Sequence, residues 1–309
     1  MLEVVRAAAL CSVQDLGRPG RQHLGVPRGG ALDRTALQRA NLLVGNPAEA
    51  AALEVLAGPL RLRFHRAGWL ALCGAAFEMH LNGRPLRTEW RWPFPAGAEL
   101  VLRGPVTGRV GILALDGGLA VDPVLGSRAT QIPGGFGGWQ GRTLQAGDRL
   151  PLGPPRSLLG VRGLRVPAVE PGLRVVPGPE WAALTAASQR QWTEQLWRMS
   201  PQSDRMGVWL EGAPLRFSTS VEMRSHAVAA GWIQLPPAGQ PIVLLPGCQS
   251  TGGYPRIAAV IEADLGALAQ WRPGEARRFR WVTPDEARAA RQVQGVQYAQ
   301  WEWACAGSI

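Results

Sequence analysis

Glycine and proline punctuate this chain more than anything else: 39 glycines and 26 prolines in 309 residues leave mostly short apolar runs between turns. Glycine supplies positive-φ turns, and proline removes a ladder donor and blocks helix interiors. The pattern therefore predicts a mainly β chain with few helices. Strands are expected at Trp69 to Cys73, Phe77 to Leu81 and Arg84 to Arg87, with Asn82-Gly83 as a tight primed turn between the last two. The runs Val110 to Leu115 and Ile242 to Leu245 have strand length and no polar break, as interior strands do. Asp33 is placed to cap a helix whose Ala36, Leu37, Ala40 and Val44 share a face and which stops at Gly45. Three further helices are expected at Pro179 to Trp197, Ala258 to Gln270 and, short and exposed, Pro284 to Val293.

Prolines gather without periodicity between Leu152 and Gly172, which predicts a boundary between domains at 1–165 and 172–283, followed by a tail at 284–309. Two barrels or sandwiches would satisfy the composition equally. No apolar run approaches the roughly 20 residues that span a bilayer. Glu3 and Arg6 interrupt the N-terminal apolar stretch, so a cytoplasmic location with no membrane partner is the expectation. Cys11, Cys73, Cys248 and Cys305 are widely spaced, which favours neither a disulfide framework nor a metal site.

All 33 basic residues are arginine. A chain without lysine forms no Schiff base, carries no Walker A lysine and bears no covalent biotin. The net charge of +10 is scattered rather than clustered, which speaks against a nucleic-acid surface. The glycine-rich stretch Gly134 to Gly138 is followed by no helix-forming segment and so reads as a barrel loop rather than a phosphate cradle.

Two polar runs carry the chemistry: Gln14-Asp15-Leu16-Gly17-Arg18-Pro19-Gly20 and Gln249-Ser250-Thr251-Gly252-Gly253-Tyr254-Pro255. Each sets side-chain donors and acceptors beside bare glycine backbone. Asp15 and Arg18 offer a carboxylate and a guanidinium fork, or else a self-bonded turn. His23 follows on the same polar loop. Glu54 between Leu53 and Val55 would point inward, paired with an arginine or poised as a base. Ser127-Arg128 joins a hydroxyl to a guanidinium after a glycine.

These runs are joined in order by Gly25-Val26-Pro27-Arg28-Gly29-Gly30-Ala31-Leu32-Asp33, Asn41 to Asn46, Asp116-Gly117-Gly118, Gly126 to Thr130, Gly141 to Asp148, Asp204-Arg205-Met206-Gly207, Ile233-Gln234 and Gly239-Gln240-Pro241. From Gln14 to Phe279 the sequence resembles the C subunit of bacterial 5-oxoprolinase, also called allophanate hydrolase subunit 2 or the biotin-dependent carboxyltransferase family. It departs from that pattern at Gly247, where an aspartate is usual, and at Val208-Trp209, where a tyrosine and an arginine are common.

The resemblance implies two cyclophilin-like β-barrel domains and a hydrolase that opens 5-oxoproline to glutamate with ATP and magnesium, bound here or by a partner. The implied partners are the A and B subunits of 5-oxoprolinase, and the implied ligand is a small amide or ureide. Asp15, Arg18, His23, Asp33 and Glu54 are the catalytic candidates. Asn41, Asn46, Ser127, Arg128, Asp204, Arg205, Gln234, Gln249, Thr251 and Tyr254 are the substrate-binding ones, and no residue is assigned to a metal. The same resemblance admits a urea carboxylase-type carboxyltransferase, with biotin on another chain, or a regulator that antagonises a kinase inhibitor. Trp90, Trp92 and Trp139, in Pro- or Gly-flanked segments, are candidate anchors for the B subunit.

Overall fold

The computed structural model describes residues 1–168 and 172–306; Pro171 of the expected linker lies outside them. The chain divides into two compact units, one made of Met1–Arg18, Gly29–Pro167 and Gln297–Ile309, the other of Pro19–Arg28 and Ala168–Val296. Each unit thus takes in a segment distant in sequence from its main body. Among the described residues no helix is long and apolar enough to cross a membrane.

The first unit carries β1 (Leu2–Arg6), β2 (Cys11–Gln14), β3 (Ala52–Val55), β4 (Leu60–Phe64), β5 (Gly68–Leu81), β6 (Arg84–Leu86), β7 (Trp90–Phe94), β8 (Glu99–Leu115), β9 (Arg149–Leu150) and β10 (Arg162–Gly163), with helix α1 (Arg34–Leu43). Its ten strands form a nearly closed barrel in the order β10-β7-β5-β8-β4-β1-β9, with β6 on β5 and the β2-β3 pair on β8. The two strands expected within 69–81 are one continuous strand, β5, bent by bulges near Gly74 and Ala76. Asn82 and Gly83 both take positive φ between Leu81 and Arg84, the primed turn that suits a two-residue hairpin. β4 alternates buried leucines with exposed or half-buried arginines, so Leu60, Leu62 and Phe64 join Leu2, Val4, Leu100 and Leu102 in the core. Asp33 accepts the Ala36 N–H at 2.8 Å and starts α1 as expected, and Ala36, Leu37 and Ala40 are fully buried.

The second unit contains β11 (Leu173–Pro177), β12 (Trp197–Met199), β13 (Gly207–Glu211), β14 (His226–Ala227), β15 (Trp232–Gln234), β16 (Ile242–Leu244), β17 (Thr251–Gly252), β18 (Arg256–Val260), β19 (Ala276–Arg277) and β20 (Phe279–Trp281). Eight of these form a sheet in the order β19-β12-β13-β16-β15-β18-β11-β20, and β14 pairs with β17 apart from it. Aromatic packing closes its core: Trp192 stacks on Phe279 at 4.6 Å and tilts against Trp197 at 5.4 Å.

The later helices differ from expectation. The segment expected from Pro179 breaks into a single turn at Trp181–Ala183 and helix α2 (Ala186–Glu194), because Thr185 caps a fresh start by accepting the Ser188 N–H. Ala258 to Gln270 is helical only in its later part: its start belongs to β18, and a 3-10 turn at Glu262–Asp264 leads into the short helix α3 (Leu265–Ala269). The terminal helix α4 (Pro284–Ala306) is 23 residues long, well beyond Val293. It is more than a free tail, since the Trp301 indole N–H donates to Arg165 O at 3.2 Å and the Arg39 guanidinium lies 5.5 Å from its ring centre.

Candidate functional site

The first polar run leaves the barrel at the end of β2. One edge of β2 pairs with β3, setting Ser12 opposite Glu54 and Gln14 opposite Ala52. The segment after Val124 docks on the same strand: the Thr130 N–H and hydroxyl both donate to Val13 O at 2.9 Å, and Leu144 N–H donates to Cys11 O at 2.8 Å. Residues 127–131 are thereby held beside Asp15 and Arg18.

Asp15 is buried and engaged by three donors, one from its own loop and two from the docked segment. Its Oδ1 accepts Gly17 N–H at 2.7 Å and the Ser127 hydroxyl at 2.6 Å, and its Oδ2 accepts Arg128 N–H at 2.5 Å. Arg18 is 1% exposed. Its Nη2 donates to Ala129 O at 2.6 Å, its Nε to Val124 O at 3.3 Å, and its plane lies 5.0 Å from the Phe136 ring centre. Burial lowers the Arg18 pKa, while the Asp15 charge raises it. The third nitrogen, Nη1, is buried with no hydrogen-bond partner in the protein, as is Gln14 Oε1 in the same run.

Gly29 and Gly30 pass alongside with φ of 63° and 89°. A Cβ on Gly30 would sit 2.6 Å from Gly17 N and 2.8 Å from Asp15 O, so only glycine fits. A Cβ on Gly137 would come within 2.9 Å of Arg18 Nη2. The glycines of 134–138 thus let a turn close over Arg18, and no helix follows them.

The other first-half candidates do not join this cluster. Glu54, fully buried on β3, accepts Leu32 N–H at 2.7 Å and so holds the chain entering α1. Asp33 is the α1 cap. Asn41 donates to Ala50 O at 2.7 Å and accepts from Asn46, which also donates to Leu115 O at 2.8 Å and accepts Gly117 N–H at 2.8 Å. Both asparagines therefore hold backbone rather than open groups. Arg128 contributes its N–H to Asp15, and its exposed side chain turns to Val121 O. His23 lies on an exposed turn, Gln22–Leu24, within the second unit.

In the second unit, two glutamine amides converge on bare backbone. The position a Cβ would take on Gly252 lies 2.8 Å from Gln234 Nε2 and 3.4 Å from Gln249 Nε2. Buried Gln234 donates to Tyr254 O at 3.3 Å. Across the β14-β17 pair His226 faces Gly252, with Nδ1 3.1 Å from Arg224 O and Nε2 buried without a protein partner. Tyr254 and Gly253 line a cavity of about 580 Å³ together with residues 214–221 and 235–238. Thr251 is exposed on β17.

Asp204 and Arg205 lie in a turn. Asp204 Oδ1 accepts Met206 N–H at 2.7 Å and Gly207 N–H at 3.1 Å. Arg205 is half-buried, and desolvation pushes its pKa down to about 10. Gly247 is close-packed there, since a Cβ would sit 2.7 Å from Arg205 O. An aspartate side chain has no room at this position as the chain runs here.

Sequence reasoning missed Gln131 and Phe136, which lie outside the two runs and reach Arg18 only through the docking of residues 124–144 on β2. Trp92 and Trp139 pack against the barrel core, and the Trp92 indole donates to Arg87 O at 3.0 Å. Trp303 on α4 is the most exposed tryptophan among the described residues, at 83%. Among those residues no group of three or more His, Cys, Asp or Glu side chains is placed to hold a metal ion.

The chain matches the family model described as carboxyltransferase domain, subdomain A and B, over residues 24–281. It is 43% identical to the 5-oxoprolinase C subunit of Escherichia coli over 98% of both chains, and 37% identical to that of Haemophilus influenzae over 97% of both. A crystal structure of K. lactis urea amidolyase aligns with a TM-score of 0.91 at 26% identity, covering 97% of this chain and 20% of that one. With the family model spanning both units, the chain belongs to the carboxyltransferase domain family, subdomains A and B.

Proposed function

We propose that this chain is the C subunit of a 5-oxoprolinase, a hetero-oligomeric hydrolase that opens 5-oxoproline to glutamate with ATP and works only with its A and B subunits. The observation that carries this reading is the match to the Escherichia coli protein, 43% identical and end to end on both chains. The site chemistry agrees with it. The reaction adds water across a ring amide, and the chain offers neutral amide readers, Gln234 and Gln249 at Gly252, together with a guanidinium N–H at Arg18 that no protein group occupies.

We infer that magnesium ATP is held elsewhere in the complex. The chain has no lysine, its glycine turn at 134–138 opens no helix, and the described residues form no acidic metal cluster. Nucleotide binding is therefore assigned to a partner in the complex. With Asp15, Asp33 and Glu54 each engaged by backbone N–H groups, the proton-handling group is also assigned to the assembled complex.

A second reading has a specific support: the backbone follows the urea amidolyase structure over nearly its whole length. One experiment separates the two. The chain is reconstituted with its A and B subunits, and with a biotinylated carrier in parallel, and assayed on 5-oxoproline, urea and allophanate. Glutamate release from 5-oxoproline supports the lactamase; biotin-dependent carboxylation of urea without glutamate release overturns it.

A further inference from the structure

The cavity of about 580 Å³ in the second unit carries a charge that the protein leaves unmatched. Arg216 lines it, exposed, and its guanidinium has no hydrogen-bond or ion-pair partner among the described residues. The Arg216 backbone, by contrast, is fixed. Its N–H donates to Ser188 Oγ at 2.8 Å, and its carbonyl accepts Thr185 N–H at 3.0 Å. Phe217 pairs with Leu184, and Ser218 N–H donates to Ala183 O at 2.9 Å, so the wall as far as Ser218 is tied to α2 and the residues leading into it. Ser218, Thr219 and Ser220 continue the lining with side-chain hydroxyls that no described residue engages. Tyr254 adds a ring and a further uncommitted hydroxyl, on a backbone held by the Gln234 amide. No acidic side chain lines the cavity.

We propose that this cavity takes the free carboxylate of a small cyclic amide acid, held by Arg216 and the hydroxyls of Ser218, Thr219 and Ser220, with the ring against Phe217 and Tyr254. A guanidinium meets a carboxylate through two parallel N–H···O bonds, and hydroxyls supply the donors that remain. One cation balances one carboxylate, whereas a phosphate dianion would keep net charge in the site. The volume is of the size in which small ligands are held. The inference rests on the 5-oxoprolinase reading for its ligand, 5-oxoproline, and it names Arg216 as the residue that tells this substrate from an uncharged lactam. A substrate anchored by its carboxylate keeps its ring amide free for the groups that open it.

The test uses the full chain and ligands that differ in charge. Amide NMR spectra are recorded during titration with 5-oxoproline, its neutral carboxamide 5-oxoprolinamide, 2-pyrrolidinone and inorganic phosphate. The proposal expects 5-oxoproline to shift the signals of residues 216–220, 253 and 254. The two uncharged lactams should bind about tenfold more weakly, as expected for loss of a charged hydrogen bond. Arg216→Gln, at an exposed side chain without protein partners, should leave the remaining spectrum intact and remove that preference. Equal binding of charged and neutral rings, no shifts, or shifts confined to other residues overturns the proposal, and phosphate binding more tightly than 5-oxoproline overturns the choice of a carboxylate. If Arg216→Gln disturbs the whole spectrum, salt decides on the unaltered chain: 5-oxoproline should bind more weakly as ionic strength rises while 5-oxoprolinamide does not, and equal salt dependence overturns the proposal. The outcomes separate this inference from the function. Charge-selective shifts at the cavity without 5-oxoproline turnover by the complex would remove the reading and keep the site; turnover without them would do the reverse.

Discussion

The Ser127 hydroxyl donates to Asp15 Oδ1 at 2.6 Å across 112 residues of sequence, and the same carboxylate takes the next backbone N–H, from Arg128, at 2.5 Å. One carboxylate thus fastens the turn after β2 to the segment that covers Arg18. Its three acceptor contacts make Asp15 a support for the site, where the sequence offered it equally as an acid or base.

That role has a measurable cost. Asp15→Ala leaves three donors without their acceptor in a buried setting and should lower the unfolding free energy by about 3 kcal/mol. Asp15→Asn keeps the shape and one acceptor, and should cost clearly less. Urea unfolding of both variants checks this; equal and small losses would show that the network contributes little.

The C-terminal helix should matter to the barrel. Trp301 is buried, donates to Arg165 O and lies against Arg39, which in turn makes a two-point ion pair with Glu89. Trp301→Ala should cost about 3 kcal/mol, in the range for a buried tryptophan truncation. Trp303→Ala, close to the chain's described end and largely exposed, should change stability by less than about 0.5 kcal/mol. An unaffected urea midpoint for Trp301→Ala would return residues 284–306 to the status of a loose tail.

Alkaline conditions should unfold the chain through its thiols. Burial pushes Cys11 from 9.0 to about 12 and Cys248 from 9.0 to about 11. Burial first, then nearby Glu302, raises Tyr298 from 10.0 to about 12. A raised folded-state pKa means that the unfolded chain loses its proton first. Stability from these groups is whole below about pH 9 and is lost as pH rises toward 12. Melting temperatures across pH 8 to 12 should fall steadily, and Cys248→Ser should flatten part of the slope. A constant melting temperature to pH 11 would contradict the assignment. The raised Cys248 pKa also predicts slow alkylation in the native chain at pH 8.

Local signals made much of the fold readable. Asn82-Gly83 announced its hairpin because few residues tolerate two positive φ angles in succession, and Asp33 announced α1 because a side-chain acceptor before an apolar face has one economical use. The segment from Pro179 misled because Glu180 and a long polar stretch suit a helix, while Thr185 offers a second cap that restarts it. The site was legible in part. Arg18 stands in a run where polar groups meet glycines, whereas Gln234 was named only through the family resemblance, and both prove buried. Gln131 was invisible, since its place beside Arg18 depends on a loop docking that no periodicity records. Asn41, Asn46 and Glu54 looked like ligands for the same reason that they are buried: a polar side chain beside an apolar face needs a partner, and here backbone groups supply it.

The most direct measurement is an add-back titration. With 5-oxoprolinase A and B subunits held at fixed concentration, glutamate and phosphate release from 5-oxoproline and ATP are followed as this chain is added. The account predicts no turnover from the chain alone, none from A and B without it, and a rate that rises and saturates at a fixed ratio to them. Turnover by the isolated chain, or a full rate from A and B in its absence, would contradict it.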